Sequence, residues 1–486
     1  HIARWHGPAD SIYAAHRTDN ELDVRAGFGS TLAAFISASG GASVGQYGPL
    51  VHFGATMGSF LRQMTGGVLT TDVFIGCGVA GAIAAGFNAP IAGLVFAHEA
   101  ILRHFSMRAI APIAIASISA VWFSDRLFDV APLFSMDSSG FDMTQMLPFA
   151  LVAGPVFGIV AVLFMLAIRS SARFAATSGW SPARLLFTAA IITGLAGTAV
   201  PEVLGLGTGP LAHMLEGGFD FEFLAVLLVL KLALTALCIG FGMFGGVFSP
   251  ALFVGAAAGA ICGRIIASLG IVGAAPTLAI CGMAAVASAV IGAPVSGVVI
   301  ILEMTMSYEF ALAAMLSIVV AIMVSNLLFG HSFFDRQLID RGIDVAQGRG
   351  HIEMMETPVA SIVDTSFPKA YPEAASGEVV KLLADAGATE AYLIDQYGNF
   401  SGKVGLHDLI AVPAKTSVVE LADATPILIK HDASLQQAIE VASEFVGESI
   451  PVVNRETGEM LGVVTEADLF QLYLSLQTRI ADLERA

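Results

Sequence analysis

Long apolar segments separated by short polar connections make up most of the chain. The segments 147–168, 222–240 and 308–329 are each long and apolar enough to cross a bilayer as a helix, which takes about 20 residues. Two others, 245–263 and 284–302, are interrupted by Gly or Pro. Such interruptions are tolerated at membrane depth only where backbone is buried in protein or lines an aqueous path. The pattern predicts an all-α polytopic membrane domain.

Composition divides the chain into two parts. Residues 1–350 hold 15 basic and 19 acidic residues, a net charge of −4, whereas residues 351–486 hold 8 and 21, a net charge of −13. We therefore expect a membrane domain over 1–345 and an acidic soluble domain over 346–486. The negative charge of the tail argues against nucleic acid as a partner.

The sequence shows no pattern of catalytic residues. The four cysteines, Cys77, Cys238, Cys262 and Cys281, lie in apolar segments without metal-ligand spacing, so we interpret them as packing residues. Neither a Ser/His/Asp arrangement nor a phosphate-binding loop is found, and we do not expect an enzyme or a bound metal. The chain begins at His1 without a signal peptide, and we expect at least one further helix before it.

The membrane part carries an internal repeat. Residues 86–99 read GFNAPIAGLVFAHE and residues 290–303 read VIGAPVSGVVIILE. At a constant offset of 204, Cys77, Gly78, Pro90, Gly93 and Glu99 match Cys281, Gly282, Pro294, Gly297 and Glu303. At an offset of 201, Pro49, Gly54 and Gly58 match Pro250, Gly255 and Gly259. The domain is therefore predicted to consist of two related halves.

Four prolines mark predicted helix starts within the membrane: Pro49, Pro90, Pro250 and Pro294. The start of a helix carries unsatisfied N–H groups and about half a positive charge. Two starts that face one point can hold an anion without a basic side chain. Because Lys231 is the only lysine in this part, an anion path here would be built mainly from backbone dipoles.

Two glycine-rich motifs precede the helix starts, Gly45-Gln46-Tyr47-Gly48-Pro49 and Gly245-Gly246-Val247-Phe248-Ser249-Pro250. With the Phe87–Pro90 and Gly292–Pro294 stretches and a two-part tail, the chain resembles the CLC family of chloride channels and proton-coupled chloride exchangers. The resemblance implies two inverted halves, a homodimer in the bilayer and a separate anion pore in each subunit.

The same resemblance assigns site residues. The anion would be bound at Gly246, Val247 and Phe248, chiefly by backbone N–H groups. Gln46, Tyr47 and Gly48 would lie at the external gate.

Departures from the family pattern bear most on function. The gate motif of the family usually has Glu where this chain has Tyr47 and Arg where it has Gln46. A second proton-carrying Glu of the exchangers is replaced by Ala100. Tyrosine has a reference pKa of about 10, so at neutral pH it is not an anion that competes with chloride. Tyr47 either blocks the path sterically or packs over its mouth.

Other polar residues leave alternatives open. His98 is a conceivable substitute proton carrier, although a lone histidine beside a span end is more often simply packed. Glu99 and Glu303 occupy matching repeat positions, which favours a structural role. Two family residues that bind the innermost anion by hydroxyl align with His6 and Phe334, so we expect the anion to be held less tightly.

The tail carries its own repeat. Residues 391–408 and 450–468 each read strand, turn, strand and helix start, preceded by amphipathic helices at about 374–387 and 434–447. This resembles a tandem pair of cystathionine-β-synthase (CBS) domains, at about 355–412 and 416–476.

The CBS resemblance also implies a nucleotide-contact pattern. In the second copy, Thr465 and Asp468 fit that pattern. In the first, Asp408 is kept but Gly405 stands where Thr is wanted. Adenine nucleotide is therefore a candidate ligand, and a structural dimerising role is the better interpretation.

The missing carboxylates favour a passive chloride channel without a cofactor. The alternatives are an anion/proton exchanger with a non-standard proton path and a fluoride-conducting relative. We expect an integral protein of the bacterial inner membrane with a cytoplasmic tail.

Overall fold

A computed structural model describes residues 6–17, 19–65, 69–128, 143–271, 273–423 and 426–485. The chain divides into two compact units, His1–Ile343 and Asp344–Ala486. Within the described residues, the first unit is helical and holds seven helices that are long and apolar enough to cross a membrane.

The first unit contains fifteen described α-helices, and α5 continues into a π-helical segment, Ala97–Leu102. The helices are α1 (Pro8–His16), α2 (Val24–Ser39), α3 (Tyr47–Thr65), α4 (Thr71–Phe87), α5 (Pro90–Phe96), α6 (Met107–Phe128), α7 (Met143–Thr177), α8 (Pro182–Ala199), α9 (Thr208–Leu215), α10 (Phe221–Gly240), α11 (Phe248–Ala267), α12 (Ala274–Ile291), α13 (Pro294–Thr305), α14 (Tyr308–Leu328) and α15 (Phe333–Ile339).

The predicted helices and interruptions are confirmed. The three long apolar segments fall in α7, α10 and α14, and the interrupted ones break where α11 begins and where α12 gives way to α13. All four predicted helix starts are found, because Pro90 and Pro294 open α5 and α13 while Pro49 and Pro250 lie in the first turns of α3 and α11.

The two halves repeat the same local structure. Helices α3, α4 and α5 correspond to α11, α12 and α13. The residues that end α4 and α12 are Asn88 and Gly292, which lie 204 positions apart and both adopt left-handed backbone, with φ of 55° and 82°. Only Gly and, to a lesser degree, Asn adopt that conformation readily. These caps let the chain turn at once into the next proline-initiated helix.

Close glycine contacts join the paired helices of each half. A Cβ atom on Gly78 of α4 would lie 1.9 Å from the carbonyl oxygen of Gly54 in α3. The corresponding position in the second half, Gly282 of α12, would meet the oxygen of Gly255 in α11 at 2.3 Å. Small residues of this kind let helix backbones approach closely in membranes.

The second unit contains two three-stranded sheets and five described α-helices. They are, in chain order, α16 (Gly348–Glu356), β1 (Lys369–Ala370), α17 (Ser376–Ala386), β2 (Glu390–Ile394), β3 (Phe400–Gly405), α18 (Leu406–Ile410), β4 (Ile429–Lys430), α19 (Leu435–Ala442), β5 (Ile450–Val453), β6 (Met460–Val464) and α20 (Glu466–Arg485).

Both sheets have the same topology. Strand β1 pairs parallel to β2 and β2 pairs antiparallel to β3, and β4, β5 and β6 repeat this arrangement. Each sheet has its own apolar core, centred on Leu383 and Leu393 in the first and on Leu435 and Val452 in the second. The repeat of strand, turn, strand and helix read from the sequence is thus present.

Polar contacts join the two halves of the tail. The Tyr392 hydroxyl donates to the Ser449 carbonyl oxygen at 2.8 Å, and the Ser449 amide donates to Glu390 Oε2 at 3.3 Å. The amide and hydroxyl of Thr389 both donate to Glu448, and these bonds hold the pKa of the Glu448 carboxyl below its ordinary value. The two sheets are therefore tied by side chains of their second strands.

We expect Gly78→Ala to destabilise the protein, because the added methyl would overlap the Gly54 carbonyl. Overpacking of this kind costs about 1–3 kcal/mol. Gly194→Ala in α8 is the matched control, because its Cβ would meet nothing within 4 Å. Thermal unfolding of the detergent-solubilised protein should show a lower midpoint for Gly78→Ala alone. Equal midpoints would contradict the packing described.

Candidate functional site: facing helix starts in the membrane unit

The two glycine motifs meet in an antiparallel backbone bridge. The Gly45 amide donates to the Gly246 carbonyl oxygen at 2.7 Å, and the Gly246 amide donates to the Gly45 oxygen at 2.7 Å. A further bond runs from the Gln46 amide to Ser249 Oγ at 3.3 Å. The starts of α3 and α11, which belong to different halves, are therefore held next to each other.

Only glycine fits at this bridge. A Cβ on Gly45 would lie 2.8 Å from the Gly246 oxygen, and one on Gly246 would lie 2.7 Å from the Gly48 nitrogen. A Cβ on Gly48 would lie 2.9 Å from the Gly246 Cα and 3.7 Å from Pro8 of α1. Three helix starts therefore converge here, those of α1, α3 and α11.

The first turns of α3 and α11 keep free donor capacity. The first helical bonds are accepted by the Gln46 and Val247 carbonyls, from the amides of Leu50 and Ala251. The intervening amide groups, Pro49 and Pro250 excepted, have no acceptor within their own helices. Val247 and Phe248 are buried. The convergent starts thus form a region of positive backbone potential inside the unit.

Tyr47 is packed in an aromatic cluster beside this region. Its ring stacks on Phe87 with centroids 3.9 Å apart and an interplanar angle of 14°. Its edge meets Phe248 at 5.4 Å, and Phe87 meets Phe248 at 5.5 Å. The hydroxyl reaches the Gly86 carbonyl oxygen at 3.4 Å, and the residue is only 4% exposed. Three contacts therefore fix the ring between Phe87 and Phe248.

His6 and Phe334 lie on neighbouring elements and not in the aromatic cluster. The His6 amide donates to Ser30 Oγ at 3.0 Å, and its ring lies 6.2 Å from that of His52. Phe334 is buried in α15 and packs edge-on against Phe333. His6 precedes α1 by two residues, and α1 contacts α15, which carries Phe334. Only the Tyr47 and Phe248 motifs are brought into direct contact.

The remaining two helix starts are capped by carboxylates of the opposite half. Glu99 Oε1 accepts from the Val295 amide at 2.9 Å, and Oε2 accepts from the amide and hydroxyl of Ser296 at 2.7 and 2.6 Å. Glu303 Oε1 and Oε2 accept from the Ile91 and Ala92 amides at 3.0 and 2.7 Å. The structural role expected for both glutamates is confirmed.

We call these caps crossed, because a glutamate of each half binds the helix start of the other half. The crossed caps separate the helix starts into two kinds. Those opened by Pro90 and Pro294 have their donors occupied by Glu303 and Glu99. The sequence pattern treated all four proline-marked starts alike, because it does not show which carboxylate meets which amide. The starts of α3 and α11 are not capped by Glu99 or Glu303.

The position that the family resemblance assigns to a second glutamate is apolar. Ala100 is buried in the π-helical segment, next to Glu99. His98 precedes it in the same segment and is fully buried. In the described part of the chain, no group of three or more His, Cys, Asp or Glu residues could hold a metal ion.

Lys231 is fully buried near α11. Its Nζ donates to the Val203 and Gly205 carbonyl oxygens at 3.0 and 2.8 Å and lies 5.1 Å from the ring centre of Phe253 in α11. From the sequence, Lys231 could be identified only as the one lysine of the membrane part, and the loop that binds it could not be predicted.

In the second unit, Thr465 and Asp468 bind each other. The Thr465 amide and hydroxyl donate to Asp468 Oδ2 at 3.0 and 2.6 Å, and the Asp468 amide donates to Thr465 Oγ1 at 3.1 Å. This pairing caps α20. In the first sheet, a Cβ on Gly405 would lie 3.3 Å from Asp408 Oδ2, so Asp408 occupies the corresponding place without the threonine.

The two units match two different known families. Residues 2–326 match the voltage gated chloride channel family, and residues 418–475 match the CBS domain. The chain is 30% identical to a ClcB-like protein of Ralstonia nicotianae over 68% of its own length and 79% of the relative's. It is 29% identical to the H(+)/Cl(-) exchange transporter ClcA of Vibrio campbellii, over 61% and 66%.

Solved structures share the fold. A slow cyanobacterial Cl-/H+ antiporter aligns with a TM-score of 0.61 at 19% identity, covering 69% of this chain and 80% of that one. A eukaryotic CLC transporter aligns with a TM-score of 0.58 at 20% identity, covering 95% and 84%. The facing helix starts define a helical ion-transport membrane protein, and the chain belongs to the voltage gated chloride channel (CLC) family.

Removing one crossed cap should weaken the fold. Glu303→Ala leaves the Ile91 and Ala92 amides without an acceptor, and loss of a cap costs about 0.5–2 kcal/mol. Glu303→Gln keeps one acceptor oxygen and should cost less. Glu216→Ala, at a mostly exposed position, is the control. Thermal unfolding in detergent measures the midpoints, which should fall most for Glu303→Ala, less for Glu303→Gln and least for Glu216→Ala. An unchanged midpoint for Glu303→Ala would show that the caps do not stabilise the fold.

Proposed function

We propose that this chain is a passive chloride channel whose path runs past the facing starts of α3 and α11. The observation that carries the proposal is the chemistry at two positions. In this proposal Tyr47 takes the gate position and Ala100 the second glutamate position, and neither side chain is a carboxylate that gains and loses a proton. Coupled exchange requires such a group along the path.

The backbone geometry supports an anion as the conducted ion. The starts of α3 and α11 present N–H donors, and the flanking glycines allow an ion to approach the backbone. Val247 and Phe248 would bind the central anion through their amides, with Gly246 shaping the turn. Gln46 and Gly48 would flank the gate. The few hydroxyl groups nearby favour weak binding, which suits rapid conduction.

Tyr47 in this proposal is a fixed constriction. Its contacts with Phe87 and Phe248 and its burial support a ring that narrows the path without titrating. His6 and Phe334 would border the opposite end of the path, where Phe334 lacks a hydroxyl.

The runner-up is an anion/proton exchanger with a non-standard proton path. The observation in its favour is the 29% identity to a relative that is named as an H(+)/Cl(-) exchange transporter. A fluoride-conducting relative has less support, because the likeness to a fluoride/proton antiporter, at 21% identity and a TM-score of 0.56, concerns the fold alone.

The acidic tail is proposed to be a tandem CBS pair on the cytoplasmic side that stabilises a homodimer in the bacterial inner membrane. The repeated sheet topology supports the pair. Thr465 and Asp468 bind each other, and Gly405 stands where the nucleotide-contact pattern has threonine. Both features favour a structural tail over an adenine-nucleotide site that would also use Asp408.

We expect a chloride gradient to move no protons. Purified protein in liposomes would be given a chloride gradient with a pH-sensitive dye inside and a potassium ionophore to remove the membrane potential. Chloride should flow while the dye stays constant. A pulse of external acid added with a protonophore at the end shows that the dye responds. Uphill proton movement driven by chloride would establish the exchanger instead.

Tyr47 variants test the constriction. Tyr47→Ala should raise the chloride flux, because the ring that narrows the path is removed. Tyr47→Phe should leave it within about twofold, because the stack is kept and only a long hydrogen bond is lost. Both fluxes would be measured per reconstituted protein in the same liposomes. An unchanged flux in Tyr47→Ala would reject the constriction.

A further inference from the structure

The segment that leads into the first glycine motif, residues 40–44, lies against one face of α10. The Ser43 hydroxyl lies 3.2 Å from Thr235 Oγ1. Val44 shares a buried apolar cluster with Cys238. Because Thr235 and Cys238 are three residues apart, they lie on the same face of α10. The segment is therefore anchored to α10 immediately before the backbone bridge between the two glycine motifs.

Lys231 extends the same face of α10 by one turn. It lies four residues before Thr235, and it is fully buried. Its Nζ donates to the carbonyl oxygens of Val203 and Gly205 at 3.0 and 2.8 Å. The Gly205 amide in turn donates to the Gly41 carbonyl oxygen at 3.2 Å. Two consecutive hydrogen bonds thus connect the ammonium group with the segment that precedes the bridge.

The loop 200–207 is closely fitted to the lysine. Gly205 and Gly207 have positive φ, 56° and 72°, which glycine adopts readily. A Cβ on Gly207 would lie 2.8 Å from the Phe253 ring and 3.4 Å from Lys231 Nζ. Because Phe253 belongs to α11, the lysine also contacts the helix that starts on the other side of the bridge. A buried ammonium group is stable only with hydrogen-bond acceptors around it, so the loop carbonyls are held where Nζ lies.

We propose that Lys231 is a positioning residue for the anion path. Through the loop 200–207 it fixes the segment 40–44, and thereby the distance between the starts of α3 and α11. The lysine acts through backbone groups and does not itself bind the anion. This inference rests on the proposed function, because it takes the facing helix starts as the path. The spacing of the groups that face an ion is one determinant of which ions pass, so loss of the lysine should change anion selectivity.

The ratio of two anion fluxes measures this spacing. Liposomes containing the purified chain would be loaded with equal concentrations of potassium chloride or potassium nitrate. Initial anion efflux would then be followed in the presence of a potassium ionophore. Because both fluxes come from the same preparation, their ratio does not depend on the amount of folded protein. A variant that is only less stable therefore keeps the wild-type ratio.

We expect Lys231→Met to raise the nitrate-to-chloride ratio by about threefold or more, in the range of residues that act through a neighbour. Methionine fills similar space but cannot donate to the Val203 and Gly205 carbonyls, so the segment 40–44 is held less tightly and the larger anion gains. If Lys231→Met does not fold, Gly205→Ala takes its place, because a φ of 56° strains alanine and moves the same loop.

Thr235→Val separates positioning from charge. It removes the contact with the Ser43 hydroxyl without changing the charge of the protein, and it should raise the ratio in the same direction, by about twofold. Ser317→Ala is the matched control, because it removes a buried hydroxyl that donates to the Ala150 carbonyl oxygen at 2.8 Å between α14 and α7. Its ratio should equal that of the wild type.

An unchanged ratio in Lys231→Met, with efflux intact in the wild type, would overturn the positioning role alone. A changed ratio in Lys231→Met with an unchanged one in Thr235→Val would also overturn it, because the lysine would then act by its charge. No efflux from wild-type liposomes would overturn both this role and the proposed function. Because the ratio can be measured with or without proton coupling, it is independent of whether chloride flow is passive.

Discussion

The backbone bridge between Gly45 and Gly246 is the constraint on which the membrane unit depends. It joins two motifs about 200 residues apart in sequence, and it does so by main-chain hydrogen bonds that no side chain can replace. Because a Cβ at either residue would overlap the opposite backbone, the bridge brings the starts of α3 and α11 as close as glycine permits. Everything proposed about an anion follows from this placement.

The crossed caps complete the same scheme. A helix start inside an apolar unit carries donors that must be satisfied. Glu99 and Glu303 satisfy them for α13 and α5 with full negative charges, each reaching across to the other half. Neither Glu99 nor Glu303 caps the two helix starts at the bridge. In the proposed channel, the same kind of proline-initiated helix thus serves structure in one pair and the path in the other.

Much of this arrangement could be predicted from the sequence, because it depends on residues with restrictive chemistry. The prolines marked the helix starts, and the constant offset of Glu99 and Glu303 indicated matching roles. The contact partners of these residues could not be predicted from the sequence. The stacking of Tyr47 on Phe87, the crossing of the caps and the loop carbonyls around Lys231 depend on distances between segments far apart in the chain. Periodicity and motif spacing record no such distances.

In the tail, too, local features could be predicted from the sequence, whereas contacts between distant segments could not. Alternating apolar residues and turn signals gave both strand pairs and their helices, because these are local features. The bond from Tyr392 to Ser449 joins segments 57 residues apart and arises from packing, whereas the cap between Thr465 and Asp468 spans three residues and is local. The predicted helix at 434–447 ends earlier, at Ala442, since Phe445 turns into the core of its sheet.

The central claim is that anion flow is not coupled to protons, and the reversal potential of the chloride current tests it most directly. Protein in a planar bilayer would be given a tenfold chloride gradient, first at equal pH and then with a pH difference of two units. The account predicts a reversal potential of about 59 mV in both cases. A reversal potential that moves with the pH difference would contradict it.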